Sequence, residues 1–271
     1  MINLRKNREI WRSALVASAV FSVVLGGVAC NRGSESPAST GGADAKTAAD
    51  KLAEAEPLYE GREDMTKARL AVTALRQAHA ADYGNYEAAW KLARAAFSVG
   101  DRTDVETERD AMFKEGTEAG KAAVQLQPNK PDGHFWLGAN YGGSAEHSTL
   151  SNLSSFQDIK SEMEAVLKID ESYQGYSAYL GLGRLYLQAP KMLGGDPSKA
   201  VEYLEKGVKL NSGNTLMRYE LAAAYEATNR PAEAKKQIET LMATTPDPKY
   251  MAEHKEALED AKKLLEKINR G

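Results

Sequence analysis

The sequence contains GRLYLQAPKMLGGDPSKAVEYLEKGVKLNS at residues 183–212 and AAAYEATNRPAEAKKQIETLMATTP at residues 222–246, two stretches in which the same residue types recur in the same order. The step from Ala200 to Ala234 is 34 residues, and Tyr186 and Tyr225 precede these alanines in their respective stretches. A fixed period of this length indicates helix pairs that stack side by side, because one pair alone cannot bury its own apolar side.

The recurring residues resemble the tetratricopeptide repeat (TPR), whose first helix carries Leu-Gly and then Tyr and whose second helix carries spaced alanines. Three further units follow the same pattern, an incomplete one at 52–78 and two with longer middles at 86–128 and 131–170. The resemblance implies an all-α fold, a right-handed superhelix (α-solenoid) of about four to five TPR-like helix pairs across residues 46–271. Residues 251–268 carry apolar side chains at spacings of three and four beside many charges, which predicts an amphipathic C-terminal capping helix.

Turn residues mark the ends of several predicted helices. Gly194, Gly195, Asp196 and Pro197 predict a loop with Asp196 as the N-cap of the next helix. Residues 229–231, Asn-Arg-Pro, are expected to repeat this device one unit later. Residues 142–155 are too long for a simple turn, and we interpret them either as a loop that covers the groove as a lid or as the frayed start of a helix.

The N-terminal 30 residues have the layout of a secretory signal peptide. Four basic residues precede an apolar run from Ala14 to Ala29, which ends at Cys30, the single cysteine of the chain. The sequence Gly27-Val28-Ala29-Cys30 resembles the lipobox of bacterial lipoproteins, in which the cysteine is lipidated and becomes the new N-terminus. The alternatives are ordinary cleavage and secretion, or a retained membrane anchor.

A Gly-, Ser- and Pro-rich stretch over residues 31–45 predicts a flexible tether between this anchor and the helical domain. The resemblance to lipoproteins implies attachment to a membrane of the bacterial cell envelope through the lipid. Because Asn31 is not aspartate, the family rule favours the outer membrane, with the protein facing the periplasm.

Composition and motifs argue against several classes of function. Residues 31–271 hold 31 basic and 37 acidic residues, a net charge near −6, which disfavours nucleic acid as a partner. The four histidines, His79, His134, His147 and His254, lack the spacing of metal ligands on one helix face, and no catalytic or cofactor motif is present. We therefore expect no enzyme activity, no cofactor and no metal site.

The TPR resemblance implies that a partner binds the concave side of the superhelix, which the first helix of each unit lines. The family positions carried over to this sequence include Ala139 and Ala223 and six candidate groove residues: Trp90, Arg94, Phe135, Arg184, Tyr219 and Glu226. The aromatic residues and arginines among them are types that interface anchors favour. A register error of one residue would replace Phe135 by Trp136 or His134. The expected partner is a protein or peptide in the cell envelope.

A narrower resemblance suggests an alternative function. Residues 133–141 and 182–186, followed by Pro190 and Gly194-Gly195-Asp196, look like the T component of TRAP-type transporters, a lipoprotein that works beside a periplasmic solute-binding protein. That resemblance implies an accessory subunit that handles a small solute in an internal cavity. A large apolar cavity with one mouth would favour this alternative, whereas a long open groove with exposed Trp90, Arg94, Arg184 and Tyr219 would favour the binding scaffold.

Overall fold

A computed structural model describes residues 41–147, 153–246 and 251–270. Within these ranges it contains eleven α-helices and no strand, which confirms the predicted all-α class. The elements are α1 (Gly41–Glu60), α2 (Met65–Ala81), α3 (Tyr86–Arg102), α4 (Glu106–Leu126), α5 (Pro131–His147), α6 (Leu153–Ile169), α7 (Tyr173–Gln188), a short 3-10 helix (Lys191–Leu193), α8 (Pro197–Leu210), α9 (Thr215–Ala227), α10 (Pro231–Ala243) and α11 (Met251–Arg270). The predicted signal peptide and Cys30 lie outside the described residues.

The helices form five consecutive pairs followed by one final helix. Each helix packs against the next one along the chain, from α1 with α2 to α10 with α11. The last helix, α11, packs against both α9 and α10 and so covers the end of the fifth pair. This arrangement confirms the predicted α-solenoid of helix pairs with a C-terminal capping helix.

The residues that define the repeat are the ones that fill the space between helices. Leu182, Ala200 and Leu204 of one unit and Ala234 and Ile238 of the next are fully buried. A Cβ atom on Gly183 would come within 2.4 Å of Leu204 Cγ, so the helices of this pair approach too closely for any larger residue. The interval seen in the sequence is therefore a packing requirement.

The hydrophobic core is a row of three clusters along the solenoid. The first lies among α1 to α4 and includes Leu75 and Leu92, the second joins α6 to α7 through Met163 and Leu182, and the third fills α7 to α11 around Leu221. Such a row is expected when each helix pair contacts only its neighbours.

The N-cap of α8 agrees with the prediction from the sequence, whereas the N-cap of α10 differs from it. Asp196 accepts hydrogen bonds from the backbone amides of Ser198 (3.0 Å) and Lys199 (3.3 Å), as predicted for the N-cap of α8. In α10 the N-cap is Arg230, which makes no side-chain cap, and Asn229 has a left-handed backbone with φ 58°. Pro231 stands in the first turn of α10 as predicted, but the prediction of a side-chain cap before it is wrong, because Asn229 reverses the chain after α9 and Arg230 takes the N-cap position.

Two segments are more helical than the sequence suggested. Residues 142–147 continue α5 and residues 153–155 begin α6, so the long-loop interpretation of 142–155 is wrong for both ends of this segment. Residues 148–152 lie outside the described ranges. Similarly, α1 begins at Gly41, inside the stretch assigned to the tether.

The start of α7 holds a left-handed turn that nothing in the sequence indicated. Gln174, Gly175 and Tyr176 have φ values of 49°, 66° and 69°. Residues other than glycine adopt this conformation at a cost of about 1–2 kcal/mol each. Asn211, which follows α8, donates a hydrogen bond to the Gly175 carbonyl (3.0 Å), and the Ser177 hydroxyl donates one to the Gln174 carbonyl (2.6 Å).

No described helix combines the length and the apolar character that crossing a bilayer requires.

Candidate binding face

The odd-numbered helices form one layer of the solenoid, which we call the inner layer. Each odd helix packs against the next odd helix, α1 with α3 through α9 with α11, in addition to its even-numbered neighbours. No comparable contact joins consecutive even-numbered helices within the described ranges. In a curved stack the helices that approach one another across pairs lie on the concave side, so the inner layer is the concave face.

The six predicted groove residues all lie on the inner layer. Trp90 and Arg94 belong to α3, Phe135 to α5, Arg184 to α7, and the last two, Tyr219 and Glu226, to α9. All six side chains are partly buried, whereas the open-groove expectation would have exposed Trp90, Arg94, Arg184 and Tyr219. Their contact with a partner stays a prediction.

Arg94 and Trp90 form one group with Tyr59 of α1. The Arg94 guanidinium carbon lies 3.7 Å from the centroid of the Tyr59 ring and 5.0 Å from that of Trp90. Cation–π contacts of this kind hold a planar guanidinium in place without consuming its hydrogen-bond donors. Burial raises the pKa of Tyr59 against the opposing charge of Arg94, so the tyrosine stays neutral.

Phe135 is part of a row of aromatic rings that crosses the inner layer. Its ring lies 5.0 Å from that of Trp136 and 5.4 Å from that of Tyr173 on α7, measured between centroids. Trp136 in turn lies 5.9 Å from Phe97 on α3. Phe135 also packs against the second core cluster, so its main contacts join α5 to α7.

Arg184 binds a buried carboxylate on the neighbouring inner helix. Its Nε donates to Glu220 Oε1 over 2.6 Å, and the Glu220 side chain is 6% exposed while that of Arg184 is 39% exposed. Burial opposes the charge of Arg184, but the charge and hydrogen bond of Glu220 raise the Arg184 pKa. Burial together with the Glu220 charge also raises the pKa of Tyr219 to about 12.

Glu226 contacts the capping helix. Its carboxylate lies 2.8 Å from Lys267 Nζ of α11, and both side chains remain partly exposed. This pair links α9 to α11 at the C-terminal end of the inner layer. Exposed pairs of this kind contribute little to stability, about 0–1 kcal/mol.

Hydrogen bonds between distant residues also shape this layer, and sequence reasoning did not predict them. Asp132 accepts hydrogen bonds from the hydroxyls of Tyr86 and Tyr173, both 3.0 Å, and so connects the starts of α3, α5 and α7. Asn140 is fully buried and donates to the Ala93 carbonyl (3.0 Å), which fixes α5 against α3. Nothing in a single sequence marks these hydrogen bonds, because the partners lie more than 40 positions apart.

His134 and His254 make packing contacts within the helical layers. His134 is buried between Glu162 (2.6 Å) and the Pro128 carbonyl (2.9 Å), and His254 is buried beside Thr215 (3.2 Å). Among the residues that the structure describes, no group of three or more His, Asp or Glu side chains could hold a metal ion.

An open pocket lies between the outer helices α2 and α4. His79 and Arg76 of α2 and the nearby Tyr83 line it, together with Glu115 and Glu118 of α4. Leu92 of the inner helix α3 also lines this pocket, which is open and so does not match the internal cavity that a solute-handling subunit would need. The resemblance to a transporter component stays a prediction.

Comparisons of structure show that the chain shares its fold with TPR proteins. TTC0263, a thermophilic TPR protein of Thermus thermophilus, aligns with a TM-score of 0.57 and 20% identity over 78% of this chain and 98% of its own. PilF of Pseudomonas aeruginosa aligns with a TM-score of 0.54 and 15% identity over 84% of this chain and 95% of its own. At these identities the likeness establishes the fold.

No curated protein sequence matches the chain. The sequence profile of the family RMD1-3, Regulator of microtubule dynamics protein 1-3, matches residues 51–269, which include nearly all of the described helices. The protein therefore belongs to the regulator of microtubule dynamics protein 1-3 family, and its fold is a TPR-type helical solenoid.

Proposed function

We propose that this protein is a non-catalytic scaffold whose inner layer binds a protein or peptide in the cell envelope. The observation that carries the proposal is the continuous inner layer, which presents aromatic and charged side chains from α3, α7 and α9 on one face. The description of the family names microtubule dynamics as what its members regulate. From that description we carry over only the class of ligand, a protein assembly.

We further propose that a lipid on Cys30 attaches the protein to a bacterial envelope membrane, at the outer membrane and facing the periplasm. The proposal is based on the basic and apolar N-terminal segment and the cysteine that ends it. Two acyl chains would suffice for stable attachment. Metabolic labelling with a fatty-acid analogue tests it, since label in the wild-type protein but none in Cys30→Ser is expected, and equal labelling of both would contradict it.

Site-specific photocrosslinking in intact cells tests the binding face. A photoreactive residue replaces Ala139 on α5 or Ala223 on α9, two partly buried inner-layer positions. The matched controls carry the same residue at Thr73 on α2 and at Glu239 on α10, both exposed on outer helices. We expect the same discrete adduct from both inner positions and its absence from both outer ones.

The result that would overturn the proposed function is an identical set of adducts from the inner and outer positions. Mass spectrometry of the adduct identifies the partner and decides whether it is an envelope protein. The inner positions were chosen because replacing Arg184 instead would leave the Glu220 carboxylate unpaired and disturb the fold.

A further inference from the structure

A strained turn joins Tyr173 to the body of α7. Gln174, Gly175 and Tyr176 all have left-handed φ angles, and the amides of Gly175 and Tyr176 both donate to the Ser172 carbonyl, over 3.0 and 3.2 Å. For a residue other than glycine, this conformation is about five- to thirtyfold less populated than the right-handed one. Two such residues bear the strain here, so contacts with other parts of the molecule must hold the turn in place.

Tyr173 fastens this turn to the preceding unit. Its hydroxyl donates to Asp132 Oδ1 over 3.0 Å, and its ring lies 5.4 Å from that of Phe135, measured between centroids. Burial and the charge of Asp132 raise the pKa of Tyr173, so the hydroxyl keeps the proton that it donates. Asp132 and Phe135 both belong to α5. Tyr173 thus connects the start of α7 to the neighbouring helix of the inner layer.

The following unit holds the turn from the other side. The Asn211 side chain, just after α8, donates to the Gly175 carbonyl over 3.0 Å. A Cβ atom on Gly175 would lie 3.1 Å from Asn211 Nδ2, so a larger residue would disturb this contact in addition to straining the backbone. Within α7 the Ser177 hydroxyl donates to the Gln174 carbonyl over 2.6 Å. The strained turn is therefore held by the units on both sides of it.

The body of α7 does not depend on this turn for its packing. Ala178 and Leu182 pack against Met163 and Val166 of α6 in the second core cluster. By contrast, α5 and α7 contact each other less extensively than α3 and α5 do, and less than α9 and α11. Opening of the turn would therefore release Tyr173 from α5 while α7 stays packed in the solenoid.

We propose that residues 173–176 are a latch across the inner layer, whose opening moves Tyr173 away from α5 and uncovers Phe135 for the partner. In the closed state the contacts of Tyr173 and the Asn211 hydrogen bond oppose the left-handed strain. In the open state residues 174–176 take the right-handed backbone of α7 and the strain is relieved. The latch is a property of the free protein, whereas its effect on Phe135 rests on the proposed function.

Amide hydrogen exchange of the full-length protein, measured by mass spectrometry on peptides covering residues 172–178, reports the opening of the latch. Gln174→Gly and Gln174→Ala form a matched pair, because both remove the exposed side chain and only alanine keeps the Cβ atom that a left-handed backbone disfavours. Exchange, relative to the intrinsic rates, should be about five- to thirtyfold slower in Gln174→Gly than in Gln174→Ala. Gly175→Ala should accelerate exchange relative to wild type by a similar factor.

Two tyrosines that share the Asp132 carboxylate test the contact with α5. Tyr173→Phe removes the hydroxyl but keeps the ring, so exchange at residues 174–176 should be about tenfold or more faster than in wild type. Tyr86→Phe removes the other hydroxyl bound to Asp132 and leaves α7 unchanged, so as the matched control it should not accelerate exchange there. Equal exchange in Gln174→Gly and Gln174→Ala, or equal acceleration by the two tyrosine variants, would contradict the latch. Peptides from α10 identify a variant that unfolds globally, and the other pair of variants then decides.

Photocrosslinking from Ala139, one helical turn after Phe135 on α5, tests the effect of the latch on binding. Because the fraction of open protein sets the apparent affinity, the yield of the inner-layer adduct should be about fivefold or more lower in Gln174→Gly than in Gln174→Ala. Equal yields from these two variants would overturn the control of Phe135 by the latch and leave the scaffold standing. If wild type gives no specific inner-layer adduct, the proposed function itself is wrong, and the exchange rates still decide whether the latch exists.

Discussion

The close crossing of α4 and α5 sets the register of the inner layer, and a pair of glycine substitutions tests it. A Cβ atom added at Gly120 of α4 would lie 2.9 Å from both Cα and Cβ of Leu137 on α5. A Cβ atom added at Gly142 of α5 would meet nothing within 4 Å. Both glycines are inside helices, so Gly120→Ala and Gly142→Ala differ in their surroundings rather than in their backbone conformation.

The expected free-energy changes follow from two opposing effects. Alanine is favoured over glycine in a helix interior by about 1 kcal/mol, and both variants gain this. At Gly120 the contact must open by about 0.6 Å or more to reach an ordinary carbon–carbon distance, and the obstacle is backbone that cannot rotate away. Overpacking of this kind costs about 1–3 kcal/mol. The free energy of unfolding of Gly142→Ala should therefore exceed that of wild type by about 1 kcal/mol. The free energy of unfolding of Gly120→Ala should be about 1–3 kcal/mol lower than that of Gly142→Ala.

Urea denaturation followed by circular dichroism measures both variants against wild type. The difference in free energy of unfolding between the two variants is the informative quantity, because both gain the same helix propensity from alanine and this gain cancels. The crosslinking pattern from Ala139 offers a second readout, since α5 must shift when α4 is pushed away. Equal stabilisation by both substitutions would refute the close crossing and, with it, the placement of the inner-layer residues of α5.

Three further predictions concern charge and backbone. Arg184→Met should destabilise the protein by about 1–3 kcal/mol in thermal melts, more than Glu220→Gln, because it leaves a buried carboxylate unpaired whereas Arg184 can be hydrated. The hydrogen bond from Arg69 holds the pKa of Glu108 at about 2, below its ordinary value of 4.5. The stability that the ionised Glu108 contributes is therefore complete above pH 4.5 and is lost as the pH falls toward 2. The melting-temperature difference between wild type and Glu108→Gln should shrink across that range, and a constant difference would contradict the role of this ion pair. Asn229→Ala should lower stability by about 1 kcal/mol because φ is 58°, while Asn229→Gly should not, and equal melting temperatures for the two would show that the left-handed backbone is absent.

Sequence reasoning predicted that the candidate binding residues share one face, and they do lie on the inner layer, but it did not establish their exposure. The repeat positions put Trp90, Arg94 and Arg184 on the inner layer because the 3.6-residue helical period fixes which positions share a face. Whether a side chain on that face is open or paired depends on residues far away in the chain. Tyr59 reaches Arg94 across 35 positions, and Glu220 reaches Arg184 across 36.

The sequence by itself determined the helical repeat, because small residues are required wherever two helices come close and the chain must return to the same contact once per unit. Leu182, Gly183, Ala200 and Leu204 are buried at one such contact, and their types could be interpreted without knowing any distance. Only the tertiary structure decided the left-handed turn at residues 174–176 and the hydrogen bond of Tyr173 with Asp132. Both depend on which atoms of neighbouring units approach within hydrogen-bond distance, and a local pattern does not contain that information.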